Sequence, residues 1–135
     1  LAVLAKGWVM AAKGRPLSPH LQIYKPQITS VLSIMHRITG VAMVFVLIGL
    51  SWWLIAAAMD AEYFGFVQML AGSWFGYLVI FAATIGLCYH FSNGIRHLFW
   101  DAGRGLSIET VERSGYAVLA STVILTVLIW ALILV

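Results

Sequence analysis

"ITGVAMVFVLIGLSWWLIAAAM", Ile38–Met59, contains no charged side chain and is bounded by Arg37 and Asp60. A helix needs about 20 apolar residues to cross the hydrocarbon core of a bilayer, and this run is long enough. In lipid, backbone N–H and C=O groups have no water to bond, so a lone crossing segment must be helical. The same reading applies twice more. No charge occurs between Glu62 and Arg96, where Trp74–Phe91 is the most apolar part, and none follows Arg113 to Val135. The expected spans are about 31–59, 66–98 and 113–135, with residues 1–30 as a separate N-terminal segment. Three long spans without two-residue alternation exclude a transmembrane β-barrel. Composition agrees: 62% of the 135 residues are hydrophobic and 10% are charged, more apolar surface than a small soluble globule can bury. The expected fold is an all-α integral membrane protein with three transmembrane helices.

Basic residues give a direction. Lys6, Lys13, Arg15, Lys25 and Arg37 precede or open the first span, and Arg96, Arg104 and Arg113 surround the second loop. The first loop, with Asp60 and Glu62, and the C-terminus carry no base. By the positive-inside rule, the N-terminus and second loop face the cytoplasm or mitochondrial matrix. Trp52, Trp53 and Trp74 then fall near the outer interface and Trp100 near the inner one. "LAVLAKGWVMAAKG", residues 1–14, is too interrupted by Lys6, Gly7 and Lys13 to read as a signal peptide. In "RPLSPHLQIYKPQITS", Pro16, Pro19 and Pro26 prevent a continuous helix. Its Leu17, Leu21, Ile23, Tyr24 and Ile28 suit an ordered segment at the inner membrane face.

Two polar clusters interrupt the apolar pattern. In "CYHFSNGIRHLFWDAG", Cys88–Gly103, the residues His90, Asn93, Gly94 and His97 recur at helical spacing and share one face. Asn93 and Gly94 leave room for a flat ligand or a neighbouring helix. Ionisable groups within a span mark function by default. A neutral imidazole at His90 suits an iron ligand, although a hydrogen bond to another helix would account for it too. Arg96 reads as an inner-face anchor. Cys88 points about 200° away from His90, at about 100° per residue, and reads as a buried unpaired thiol. In "SIMHRITG", Ser33–Gly40, the residues Ser33, His36, Arg37 and Gly40 form a second polar face at the same depth. A hydroxyl and a guanidinium together can hold a carbonyl oxygen or a carboxylate. Arg37 can also be a topological anchor that extends to the headgroups. The chain offers one good haem ligand where a six-coordinate haem needs two, so a partner subunit would supply the other.

Three blocks in order, "RPLSPHLQIY", "SIMHRITG" and "HFSNGIRHLFWDAG", resemble the cytochrome b large membrane-anchor subunits of succinate dehydrogenase, or respiratory complex II. The likeness runs from about Arg15 to Gly105. It implies haem b with His90 as an axial ligand, and a ubiquinone site that includes Ser33 and Arg37. It further implies that His36, Arg37 and His97 lie near the haem propionates. A second anchor subunit would share the haem and supply the other histidine. An iron–sulfur subunit would deliver electrons at the inner face, and a flavoprotein subunit would oxidise succinate, which this chain does not do by itself. The implied setting is a bacterial inner (plasma) membrane or the mitochondrial inner membrane. Nucleic acid is not an expected partner.

Two other classes compete. A purely structural anchor would use His90 and Arg37 for packing and topology alone. A transporter or channel subunit fits less well, because transporters place polar groups near the midplane on broken helices, whereas here they gather toward one face.

Overall fold

The computed structural model describes residues 25–135. Lys25, Pro26 and Gln27 are exposed and non-helical. Residues 1–24, which include most of the expected inner-face segment, lie outside the described residues. Four helices follow: α1 Ile28–Met59, α2 Ala61–Ala71, α3 Trp74–Asp101 and α4 Ile108–Leu134. No strand occurs among the described residues. Helices α1, α3 and α4 contain 32, 28 and 27 residues. At about 1.5 Å per residue each exceeds the hydrocarbon thickness of about 30 Å and can cross with tilt.

The second span differs from expectation. Instead of beginning near residue 66, the crossing helix begins at Trp74, and residues 61–71 form a helix of their own. Asp60 ends α1 in an extended conformation and caps α2, its carboxylate accepting from the Tyr63 N–H at 2.8 Å. Ser73 caps α3 by accepting from the Gly76 N–H at 3.0 Å. Gly76 lies against the carbonyl oxygens of Leu70 and Ala71, where a Cβ would collide. The turn therefore needs glycine at that position. Apolar residues continue on both sides of the break, so hydropathy does not reveal it. Helix α2 folds back on the end of α1. Trp52 Nε1 donates to the Tyr63 hydroxyl at 2.7 Å, Trp53 Nε1 donates to Gln68 Oε1 at 3.1 Å, and Ala56 and Val67 are buried.

At the opposite end, Gly103 (φ +70°) closes α3 in the left-handed region. Its N–H bonds the Trp100 carbonyl at 2.8 Å, and the Arg104 N–H bonds the Phe99 carbonyl at 2.9 Å. This pair of bonds satisfies carbonyls that a helix end leaves open. Ser107 then caps α4.

The three long helices pack around a small core of Leu32, Tyr89 and Val118. The Tyr89 hydroxyl donates to the Leu32 carbonyl at 2.6 Å, joining α3 to α1. At Gly115 of α4 an added Cβ would stand 3.0 Å from Leu32 Cδ1 and 3.7 Å from Arg96 Nη2, so glycine lets all three helices converge. Thr122 and Thr126 are buried on α4 and donate to the carbonyls of Val118 and Thr122. They satisfy themselves within their own helix.

Arg96 is not the interfacial anchor that its place in the sequence suggested. It is 5% exposed. Its Nε donates to Ser114 Oγ at 2.9 Å and its Nη2 to the Val111 carbonyl at 2.8 Å, both on α4. Nη1 donates to Asn93 Oδ1 at 3.3 Å, and the guanidinium stands 4.1 Å over the Trp100 ring. Burying a cation is tolerable only when such donors are satisfied. Arg96→Met should destabilise the bundle by about 2–4 kcal/mol, since it leaves Ser114, Asn93 and the Val111 carbonyl without their charged donor. Arg96→Lys should not rescue it, because an ammonium lacks the planar fork that reaches three acceptors. Thermal unfolding of the purified protein checks this; equal midpoints for Arg96→Lys and wild type would contradict it.

Candidate functional site

The two polar clusters meet between α1 and α3, near the end that carries the α3–α4 loop. The His36 ring stacks on His90 with centroids 4.0 Å apart and planes 11° from parallel. On its other side it stacks on His97 at 4.8 Å and 15°. Three imidazoles thus form a column, with α1 supplying the middle ring and α3 the outer two. Glycines allow the approach. A Cβ at Gly40 would stand 3.2 Å from His90 Cε1, and one at Gly94 would stand 4.0 Å from His36 Cε1. The space expected at Gly94 is therefore filled by His36. Asn93 turns inward, fully buried, and holds Arg96.

Hydrogen bonding decides which nitrogens are available. The Thr39 hydroxyl donates to α1 backbone carbonyls, Met35 O at 2.9 Å and His36 O at 3.0 Å. Its oxygen also lies 3.1 Å from His90 Nδ1, so a hydrogen bond between hydroxyl and ring joins α1 to α3. His90 Nε2 makes no bond among the described residues. A ring held through one nitrogen, with the other left open, is the arrangement of a metal-ligating histidine. His97 is set the same way, its Nδ1–H donating to the Asn93 carbonyl at 2.8 Å. His36 Nδ1 is buried and has no partner among the described residues. The three rings stack rather than converge, and no three His, Cys, Asp or Glu side chains among the described residues are placed to hold a metal ion together. The donor set suits a single ligating imidazole with polar nitrogens beside it, not a chelated ion.

Ser33 and Arg37 lie one turn apart on α1. Ser33 is half-buried, Arg37 is exposed, and the side chains of both lack a hydrogen bond among the described residues. Arg37 thus contrasts with Arg96, whose donors are engaged inside the bundle. The structure brings His36, His90 and His97 together and leaves Ser33 and Arg37 uncommitted on the same stretch of helix. Cys88 is buried and unpaired.

Gly40, already placed on the polar face of α1, admits the His90 ring. Thr39, which holds that ring, escaped the sequence reading. It belongs to the polar stretch already singled out, but a threonine in a span usually bonds its own helix. Its second partner, on α3, is invisible before the helices pack.

Known proteins resemble this chain along most of its length. The family model for the succinate dehydrogenase/fumarate reductase transmembrane subunit matches residues 11–129. A succinate dehydrogenase cytochrome b556 subunit from Rickettsia prowazekii is 49% identical over 116 residues, which cover 86% of this chain and 90% of that protein. The corresponding subunit of Paracoccus denitrificans is 43% identical, covering 84% and 88%. A cytochrome b560 subunit from the plant Marchantia polymorpha is 40% identical, covering 84% and 87%.

The close approach at Gly40 is testable. Gly40→Leu should cost about 1–3 kcal/mol by forcing α1 from His90, and the thermal midpoint of the purified protein should fall by several degrees. Gly49→Leu should be nearly neutral, because nothing lies within 4 Å of a Cβ at that position. Equal midpoints for the two variants would mean that α1 does not approach α3 at Gly40.

Proposed function

The chain belongs to the succinate dehydrogenase/fumarate reductase transmembrane subunit family, among its cytochrome b anchors, and on that premise we propose that it holds haem b through His90 and helps to form a ubiquinone-reduction site with Ser33 and Arg37. The observation that carries the reading is the open Nε2 of His90, on a ring whose Nδ1 lies 3.1 Å from the Thr39 hydroxyl. The buried, unpartnered Nδ1 of His36 supports it, since a haem brings two carboxylates that need donors. When bound, haem b supplies a one-electron carrier whose potential follows its ligands and burial.

The chain's own residues then have distinct tasks. His90 would hold the haem iron through Nε2. Thr39 fixes the orientation of the ring through its contact with Nδ1. His36, His97 and Arg37 would offer N–H groups to the propionates. Ser33 and Arg37 donate hydrogen bonds to a quinone carbonyl oxygen and stabilise the negative charge that develops there on reduction. Their side chains are uncommitted within the described residues, as a substrate contact requires.

With one ligating histidine on this chain, a second anchor subunit would share the haem and provide the other. The iron–sulfur subunit meets the inner face and delivers electrons, and the flavoprotein subunit oxidises succinate. The N-terminus and the α3–α4 loop lie on the cytoplasmic or matrix side, supported by Lys25, Arg37, Arg104 and Arg113 at that end.

A reduced-minus-oxidised spectrum of the purified complex separates this function from that of a bare structural anchor. His90→Ala should abolish the low-spin haem signal, and an unchanged spectrum would refute the ligand assignment. Thr39→Val should shift the haem midpoint potential by removing the hydroxyl that holds His90 Nδ1. Thr39→Ser should stay near wild type, and redox titration reads the difference.

Ser33→Ala and Arg37→Lys should each lower quinone reduction about ten- to a hundredfold, the loss of one charge-assisted hydrogen bond. Dye-linked succinate oxidation upstream should persist. A wild-type ratio of the two activities in Arg37→Lys would reduce Arg37 to a topological anchor.

A further inference from the structure

Hydroxyl groups in these helices usually bond their own backbone. Thr39, Ser51, Thr84, Thr122 and Thr126 each donate to the carbonyl four residues back, the ordinary way to satisfy a hydroxyl in an apolar setting. Near the start of α1, Ser30 and Ser33 depart from this pattern. Both are half-buried, and neither hydroxyl has a hydrogen-bond partner among the described residues. For Ser30 the carbonyl four residues back belongs to Pro26, which lies outside the helix. A half-buried hydroxyl without a partner costs free energy until something supplies one.

Ser30 stands on the same edge of α1 as Ser33 and Arg37. At about 100° per residue, it lies within about 20° of Arg37 and about 60° of Ser33. His36 falls about 60° to the other side of Ser33, so Ser30 belongs to the Ser33–Arg37 edge and not to the histidine column. With a rise of about 1.5 Å per residue, Ser30 is about 4.5 Å from Ser33 along the axis, toward the end that carries Lys25. The chemistry of the substrate fits this order. A ubiquinone ring carries its apolar tail on one side of the two carbonyls and two methoxy groups on the other. The tail stays with the hydrocarbon core, which the uncharged run Ile38–Met59 crosses. The methoxy groups therefore point the opposite way, toward Ser30.

We propose that Ser30 is a specificity-determining residue of the quinone site, its hydroxyl donating to the methoxy oxygen beside the carbonyl that Ser33 and Arg37 hold; this rests on the function proposed above. Ser33 and Arg37 recognise a carbonyl, which every quinone has, and so cannot select among quinones. The ether oxygen next to it is present in ubiquinone and absent from a ring with methyl groups at those positions. One neutral hydrogen bond to that oxygen is worth about two- to tenfold in binding.

The test measures quinone reduction by the purified, complete complex, normalised to dye-linked succinate oxidation. The probes are decylubiquinone and decylplastoquinone, which has methyl groups in place of the methoxy groups. Wild type should show the lower KM for decylubiquinone. Ser30→Ala should raise that KM about two- to tenfold and shift the KM for decylplastoquinone by less than about twofold. Ser30→Thr, which keeps the hydroxyl, should preserve the preference. Ser51→Ala is the control and should change neither value, because its hydroxyl bonds the Leu47 carbonyl within its own helix. Equal KM values for the two quinones in wild type, or a Ser30→Ala effect of the same size on both, would overturn the proposal. So would no change in either KM, the result expected if the hydroxyl meets only water at the headgroup level. Ser33→Ala removes a contact to the carbonyl and should slow both quinones alike. If Ser33→Ala and Arg37→Lys leave both quinones untouched, the quinone site itself fails; if they act and Ser30→Ala does not discriminate, only the role of Ser30 fails.

Discussion

The buried guanidinium of Arg96 sets the rotation of α3. A helix in lipid gains little by burying apolar residues against another helix, since lipid tails are equally apolar. Specific polar contacts and close packing must then choose which faces meet. Arg96 bonds Ser114 and Val111 on α4, stacks on Trp100 and holds Asn93 on its own helix. Tyr89, on the same side of α3, bonds the Leu32 carbonyl of α1. With these residues turned inward, His90, Gly94 and His97 have one orientation left, the edge where α3 meets α1. The site is thus a consequence of how α3 is clamped.

Glycine provides the complementary constraint. Gly115 admits Leu32 and Arg96 to the crossing of the three helices, and Gly40 admits the His90 ring. Neither position needs an unusual backbone; each needs the absence of a Cβ. Close approach brings Thr39 within 3.1 Å of His90 Nδ1 and turns a hydroxyl that bonds its own helix into a partner for another. A small residue at one position and a small polar one beside it thereby fix the orientation of a third.

The molecule is asymmetric along the membrane normal. One end is closed by α2, whose tyrosine and glutamine accept from Trp52 and Trp53. The other gathers the histidine column, Ser33 and Arg37, whose side chains make no hydrogen bond among the described residues, and the buried Arg96. Polar and charged chemistry is concentrated where the basic loops lie, and the opposite end serves to terminate helices at the water interface.

Local chemistry alone determined the membrane class, the three crossings and the residue types of the site. An uncharged run longer than a bilayer is thick has one structural outcome, and imidazole or guanidinium in such a run stands out against its apolar background. Even the shared face of His90, Gly94 and His97 follows from helical period. The break at Gly72 and Ser73 was hidden because both flanks are apolar. The role of Arg96 was hidden because an arginine near a helix end looks the same whether it reaches for water or turns inward. Only packing distinguished the two, by setting Ser114, Val111 and Asn93 within hydrogen-bond distance of one buried side chain. The Thr39–His90 contact joins residues 51 positions apart; no local pattern encodes it, since it exists only once Gly40 lets two helices touch.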